Sequence, residues 1–408
     1  MKLFFLILLA LQIIPTITES SENQHKSINT PSIVDTSFFA SQGEIDKFIS
    51  SNKILISKDL KKRNGALLLK NASNRIIELE EFTDEQGKDY VLNISNCNNI
   101  TIKACRFYNA DKIAVLISNS TNITIINSSI DGANTSKQGL GISVYKSHNV
   151  LIQGNYIINC SSGMYALEST GIHFIGNLVI DVKGPKPRGQ MVQFNQVSGI
   201  NNLIKDNIAI NRKGTSDPED VINIFKSHGE VDSPIIIEGN YIYGDLLYGS
   251  EDKSKSGSGI MLADGGGSHI VARNNVVHSA GQVGIGVVSG DNITIENNLI
   301  YSSKSNRSNV GLMVWSFYKI KPGSINVNNN ISGWENSSGK QNSRWFGKAK
   351  QGHEYEFRSV VDRDNKWIKS QDLARDKRLA IKPLLQMSPV PGNVAWDLNS
   401  INSIFKNN

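Results

Sequence analysis

The sequence predicts an all-β chain wound as a single-stranded right-handed parallel β-helix of about 9–10 coils, and three observations lead there. A short phrase (apolar, any, apolar, any, Asn, any, apolar) recurs through the middle of the chain. The distances between its copies vary but never fall below a floor. Within each copy apolar residues alternate with period two, and the helical period of 3.6 is absent over residues 90–334.

The phrase reads Val150-Leu151-Ile152-Gln153-Gly154-Asn155-Tyr156-Ile157 in one copy and Ile172-His173-Phe174-Ile175-Gly176-Asn177-Leu178-Val179 in the next. It returns at Asn207-Ile208-Ala209, Asn240-Tyr241-Ile242, Asn275-Val276-Val277, Asn298-Leu299-Ile300 and Asn330-Ile331-Ser332. Two earlier copies carry Cys105 and Ser128 in the Asn place. Successive copies lie 23, 27, 22, 30, 33, 35, 23 and 32 residues apart. A floor of 22 with only additions above it describes a fixed coil plus loop insertions. Three short strands and their turns, at about 3.3 Å per residue, make one triangular coil of that length. Alternation places Ile142, Val144 and Leu151 inside. The recurrent Asn is expected to stack at one corner and to bond the Asn above and below. It is also expected to take up the left-handed backbone of a sharp turn. The fixed Leu pattern of leucine-rich repeats and the regular blade length of propellers are both missing.

The ends read differently. Residues 1–20 carry Lys2 and then an apolar run, Phe4 to Pro15, too short to span a bilayer. This is the pattern of a signal peptide, so the chain is expected to be secreted or periplasmic, with no membrane span. Residues 21–64 form an N-terminal segment in which Gly43 to Ile49 is amphipathic and expected to cap the solenoid as a helix. The β-helix is expected over 65–335, and 336–408 as an irregular C-terminal segment and tail. Three cysteines, Cys97, Cys105 and Cys160, are too few and odd in number for a disulfide scaffold, and Cys105 and Cys160 fall at interior places. A formal charge of +6 on an exported protein points to an anionic partner, here an acidic polysaccharide rather than nucleic acid. A monomer is expected.

The Asn-Tyr-Ile, Asn-Leu-Val and Asn-Val-Val ladder resembles the pectate-lyase-like right-handed β-helix superfamily over about residues 65–335. The resemblance implies that substrate lies across the sheet of first strands. It leaves the chemistry open, because this fold carries lyases, hydrolases, epimerases, transferases and adhesins.

The insertions mark the active face. Asp181–Gly189, Asn211–Asp220, Tyr243–Gly259 and Ser302–Ser308 all fall between a third strand and the next first strand, so they line one corner. Reading the outward positions of successive first strands gives Ser143, Tyr165, Gln193, Asn223, Met261, Gly286 and Met313. A second row at the strand ends reads Lys146, Glu168, Asn195 or Gln196, Lys226, Asp264, Ser289 and Ser316. The segment Ser216–His228 is richest, with Glu219 and Asp220 before a strand and Lys226 and His228 after it.

Three functions fit this face. In a lyase, β-elimination at a uronic acid needs its carboxylate neutralised and a proton removed. Lys226 is the expected base or neutraliser, and Arg188 and Arg212 would bind substrate carboxylates bidentately. Glu219 and Asp220, with Asp264, are candidate Ca²⁺ ligands for the same task. In a hydrolase, Asp220 and Asp264 would act as an acid–base pair. A non-catalytic glycan-binding protein would need only the polar and aromatic surface. Lys146, Tyr165, Glu168, Gln193, Asn195, Lys213, Asn223 and His228 complete the expected substrate contacts. The bland alternative is a surface charge ladder pairing Lys146 with Glu168 and Lys226 with Asp264. The lyase is the leading expectation, although no Lys–Arg pair stands on adjacent coils.

Overall fold

The computed structural model describes residues 60–380 apart from 64, 84–87, 135, 137, 213, 245–256 and 353–354, together with 43, 44 and 47. Each strand pairs in parallel with the strand one coil further along the chain, which generates three long sheets. The first sheet includes Leu140–Tyr145, Ser162–Leu167, Val192–Asn195 and Asp220–His228. The second includes His148–Gln153 and Thr170–Ile175. The third is 12-stranded and runs from Lys61–Arg63 to Lys366–Trp367.

Alternation decides what is inside. Ile94, Ile117, Val144, Ala166, Phe194 and Ile224 stand in register in successive coils and are fully buried. The small Ala166 leaves room for Phe194 above it, as close packing requires. In the second sheet Val150 and Ile152 point inward, whereas Leu151, expected inside, faces outward between them and is half-buried. Cys97, Cys105 and Cys160 are buried free thiols.

The Asn ladder forms at the corner between the second and third sheets. Asn207 shows the pattern: its amide Nδ2 donates to Phe174 O one coil back at 2.8 Å and to Asn240 Oδ1 one coil forward at 2.9 Å. Its own Oδ1 accepts from the Asn177 backbone N–H at 2.9 Å and Nδ2 at 3.0 Å. The left-handed turn falls on the preceding residue rather than on the Asn: Gly154, Gly176, Asp206, Gly239 and Asn274 have φ between 53° and 67°. A second ladder, which the repeat phrase does not reveal, lines the corner between the first and second sheets. There the backbone N–H groups of Cys97, Ser120 and Ser147 donate to Ser120, Ser147 and Ser169 Oγ at 3.0–3.1 Å.

The solenoid also extends beyond the expected boundary. Arg344–Phe346, Ser359–Arg363 and Lys366–Trp367 add another coil, and Asn330 donates to Asn365 Oδ1 at 2.9 Å. Short helical turns at Ser370–Leu373 and Lys377–Leu379 then pack Leu373 and Leu379 against the outer face of the third sheet. At the other end Gly43, Glu44 and Lys47 are helical. The rest of the expected cap, residues 1–20 and the tail from residue 381 lie outside the described residues. Among the described residues no helix is long and apolar enough to cross a membrane.

Replacing Asn207 with Ala would strand the Phe174 carbonyl and the Asn177 amide donors inside the wall. The expected cost is at least about 2 kcal/mol in urea unfolding, against less than about 0.5 kcal/mol for Lys340→Ala on the exposed surface. Equal, small effects would show that the ladder is dispensable.

Candidate active site

Three carboxyls meet on the outer face of the first sheet. Asp220 opens the strand Asp220–His228, and Glu219 precedes it in the turn. Asp264 belongs to the next coil, where the register slips. Met261 lies opposite Asn223 and Gly267 opposite Ser227, so extra residues are accommodated between them. Ala263, buried and at φ 52°, turns the chain, and Asp264 comes opposite Phe225. A bulge of this kind re-aims a side chain that regular pleating would send elsewhere. Asn223 joins the acids: its Nδ2 donates to Asp220 Oδ2 at 2.9 Å and to Asp264 Oδ2 at 3.1 Å. Gln193 Nε2 orients that amide by donating to Asn223 Oδ1 at 3.1 Å. The Tyr318 hydroxyl donates to Asp264 Oδ1.

Electrostatics separates the three groups. Burial first, then the Glu219 and Asp264 charges, pushes Asp220 up to about 8, so it holds its proton at neutral pH. Burial also raises Asp264, but the Tyr318 hydroxyl, the Asn223 amide and the charges of Lys186 and Lys226 oppose the rise. Glu219 is raised by burial and held back by Lys186, 3.3 Å away. Gln190 Nε2 donates to Glu219 Oε2 at 3.0 Å and is itself braced by the Ser162 hydroxyl. All three acids are thus raised, and the opposing contacts differ: Asp264 has the Tyr318 hydroxyl, the Asn223 amide and two lysines, whereas Asp220 has no nearby cation among its causes.

Several expected contacts line the adjoining surface. The Arg188 guanidinium stacks 4.5 Å over the Tyr165 ring, and Asn195 Nδ2 donates to the Tyr165 hydroxyl at 2.8 Å. The described loops do stack along one corner. Gly189 is so close to the Glu219 backbone that a Cβ there would lie 2.5 Å from its nitrogen.

Other expected residues are placed elsewhere. Lys226 does not pair with Asp264; it lies against Gly265, with its ammonium 5.1 Å over the Phe225 ring, because the bulge carries Asp264 back toward Asn223. Arg212 is committed to the fully buried Asp181, through its backbone N–H at 2.9 Å and Nε at 2.8 Å. Lys146 and Glu168 pair with each other at 3.4 Å on the exposed corner, and His228 shares a 3.1 Å contact with Ser268 Oγ at the far end of its strand. Lys213 lies outside the described residues. Glu219 and Asp220, the expected Ca²⁺ ligands, are engaged as described. Among the described residues no group of three or more His, Cys, Asp or Glu side chains is arranged to hold a metal ion.

Tyr318 is the residue that sequence reading missed. It stands 54 residues beyond Asp264 in a segment after the strand Val310–Val314. The only hint was the run Trp315-Ser316-Phe317-Tyr318, too aromatic for a solvated loop.

Residues 64–255 match the family model for a right-handed β-helix region. The class is thus the right-handed parallel β-helix. No curated protein matches the chain. Among solved structures it is similar to PfbA, a surface adhesin of Streptococcus pneumoniae, at 16% identity, covering 68% of this chain and 72% of that one, with a TM-score of 0.43. It is similar to the catalytic domain of a GH87 α-1,3-glucanase in complex with nigerose at 15% identity, covering 85% and 71%, with a TM-score of 0.42. It is also similar to a mannuronic acid specific polysaccharide family 6 lyase from human gut microbiota at 11% identity, covering 89% and 98%, with a TM-score of 0.41. At these identities the likeness concerns the fold alone.

A raised carboxyl has a thermodynamic signature. The unfolded Asp220 ionises near pH 4 and the folded one near 8, so the native state binds the extra proton between them. This acid therefore costs stability progressively as pH rises through that window, and no more above it. Asp220→Asn is expected to melt higher than the parent protein at pH 8.5, with the gain shrinking to nothing near pH 4. A gain independent of pH would mean that Asp220 is not the group titrating.

Proposed function

We propose that the protein is an exported glycoside hydrolase acting on an acidic polysaccharide, with Asp220 as the general acid and Asp264 as its ionised partner. The observation that carries the reading is the amide of Asn223 bridging the carboxyls of Asp220 and Asp264 on the outward face of the first sheet. Asp220 keeps a proton that it can give to the departing glycosidic oxygen. Burial raises Asp264, while two donors and two nearby lysines favour its anion, the form that would stabilise the carbon becoming cationic. Both Asn223 contacts are short, so the two bonded oxygens lie within about 6 Å of each other and border one small space.

The acidic substrate class rests on the cations around the pair. Lys186 stands beside Glu219, and Arg188 lies flat on Tyr165, where its fork can receive a uronate carboxylate. The elimination reading has less support, because the Lys226 ammonium lies over the Phe225 ring and forms no ion pair with Asp264.

The test is incubation of the purified protein with polygalacturonate, alginate and hyaluronan, following new reducing ends and the absorbance of unsaturated uronates together. Reducing ends without absorbance are expected, with a rate that falls as pH rises through about 8. Asp220→Asn and Asp264→Asn are each expected to lose roughly 10²–10⁴-fold in kcat. Absorbance rising with the reducing ends would sink the hydrolase in favour of a lyase.

A further inference from the structure

The outward face of the first sheet changes character at the carboxyls. In coils before them, Leu116, Tyr165, Gln193 and Asn195 keep solvent access at outward positions. In coils after them, every residue of Val283–Val287 and of Val310–Val314 is buried, on both faces of the sheet. The small Ser143 is buried among its neighbours in an earlier coil, but a long outward side chain such as Met313 is buried only when something lies over it.

The cover is the chain's own. After Val314 the backbone stays on the sheet, with Trp315 N–H donating to Val287 O at 2.9 Å and Phe317 N–H to Val288 O at 3.0 Å. Trp315 packs edge-on against Phe317, with centroids 4.9 Å apart, and against Trp345 at 5.5 Å. Beneath them Met261 and Met313 close over Gly286, where a Cβ would lie 2.9 Å from one sulfur and 3.3 Å from the other methyl. Among the described residues these side chains cover the outward face of the sheet at this point. The cluster ends at Tyr318, whose ring meets Phe317 edge-on and whose hydroxyl is on Asp264.

We propose that the groove is blind at this aromatic wall, so that the glycan enters from the N-terminal coils and is cut near one end. The proposal rests on the hydrolase reading and adds to it the mode of cleavage. A polymer threaded through the site would have to climb over the aromatic cover, because the sheet beneath it is buried. A chain end needs only to reach the foot of the wall, where Asp220, Asp264 and Tyr318 meet.

The experiment digests polygalacturonate, alginate and hyaluronan and follows viscosity, reducing ends and product lengths from the first per cent of reaction. Mono- or disaccharides accumulating from the start, with little fall in viscosity, are expected. Fragments of all sizes at early times would overturn the blind groove and leave the hydrolase standing. Short products with unsaturated ends would keep the wall and remove the hydrolase. No products from any of the three would overturn both. A double variant, Trp315→Ala with Phe317→Ala, is expected to add internal cuts if circular dichroism shows it folded. An unchanged profile in the folded variant would mean that these rings are not the barrier.

Discussion

Each coil of this solenoid turns a corner whose backbone groups find no partner within the coil, and the Asn ladder from Asn155 to Asn365 supplies one. Each amide from Asn155 to Asn330 reaches back to a carbonyl and forward to the next Asn, so that it ties neighbouring coils together. A buried donor or acceptor without a partner costs more than a single bond returns, which makes the ladder a constraint on register as much as a source of stability. Because the ladder holds coil upon coil, a residue on one outward face stays about 4.8 Å from its counterpart on the next.

That constancy is what lets separate coils share a site. Gln193, Asn223 and the bulged Asp264 come from three successive coils and meet in one hydrogen-bonded chain. Among the described strand pairs, the departure from register is where the acids gather. The extra residues after Met261 turn Asp264 toward Asn223, and glycines at 265, 266 and 267, all at positive φ, absorb the turn. Local irregularity is affordable here because the ladders on both sides of it remain intact.

The same face holds two environments. The acids keep partial access to water yet are crowded by protein, which raises Asp220, Asp264 and Glu219 together. A short way along the sheet, Trp315 and Phe317 are buried, with Tyr318 and Trp345 packed against them. Placing charged groups beside an apolar wall lowers the local dielectric and strengthens each of their interactions, which is the setting in which a shared proton is most sharply partitioned.

Most of the architecture could be read from residue pattern alone. Period-two alternation and a repeat with a fixed floor define coils, and the outward row from Ser143 to Met313 follows directly from counting, since pleating leaves no freedom over which face a residue takes. The outward place of Leu151 and the left-handed turn at Gly154 escaped that reading, because the three strands of a coil do not share one phase across its corners. The last coil escaped it because Asn365 stands in a phrase, Asn365-Lys366-Trp367, without the apolar run that marks the others. The candidate acids were visible as Asp220 and Asp264, and could be paired on paper for a hydrolase, but not the Asn223 amide that joins them. Counting set Asp264 beside Lys226, and only the bulge, a property of how two coils of unequal length share one sheet, brought it to Asn223. Tyr318 and the wall around it belong wholly to the tertiary structure, since a segment far along the chain reaches these acids only when the solenoid has wound.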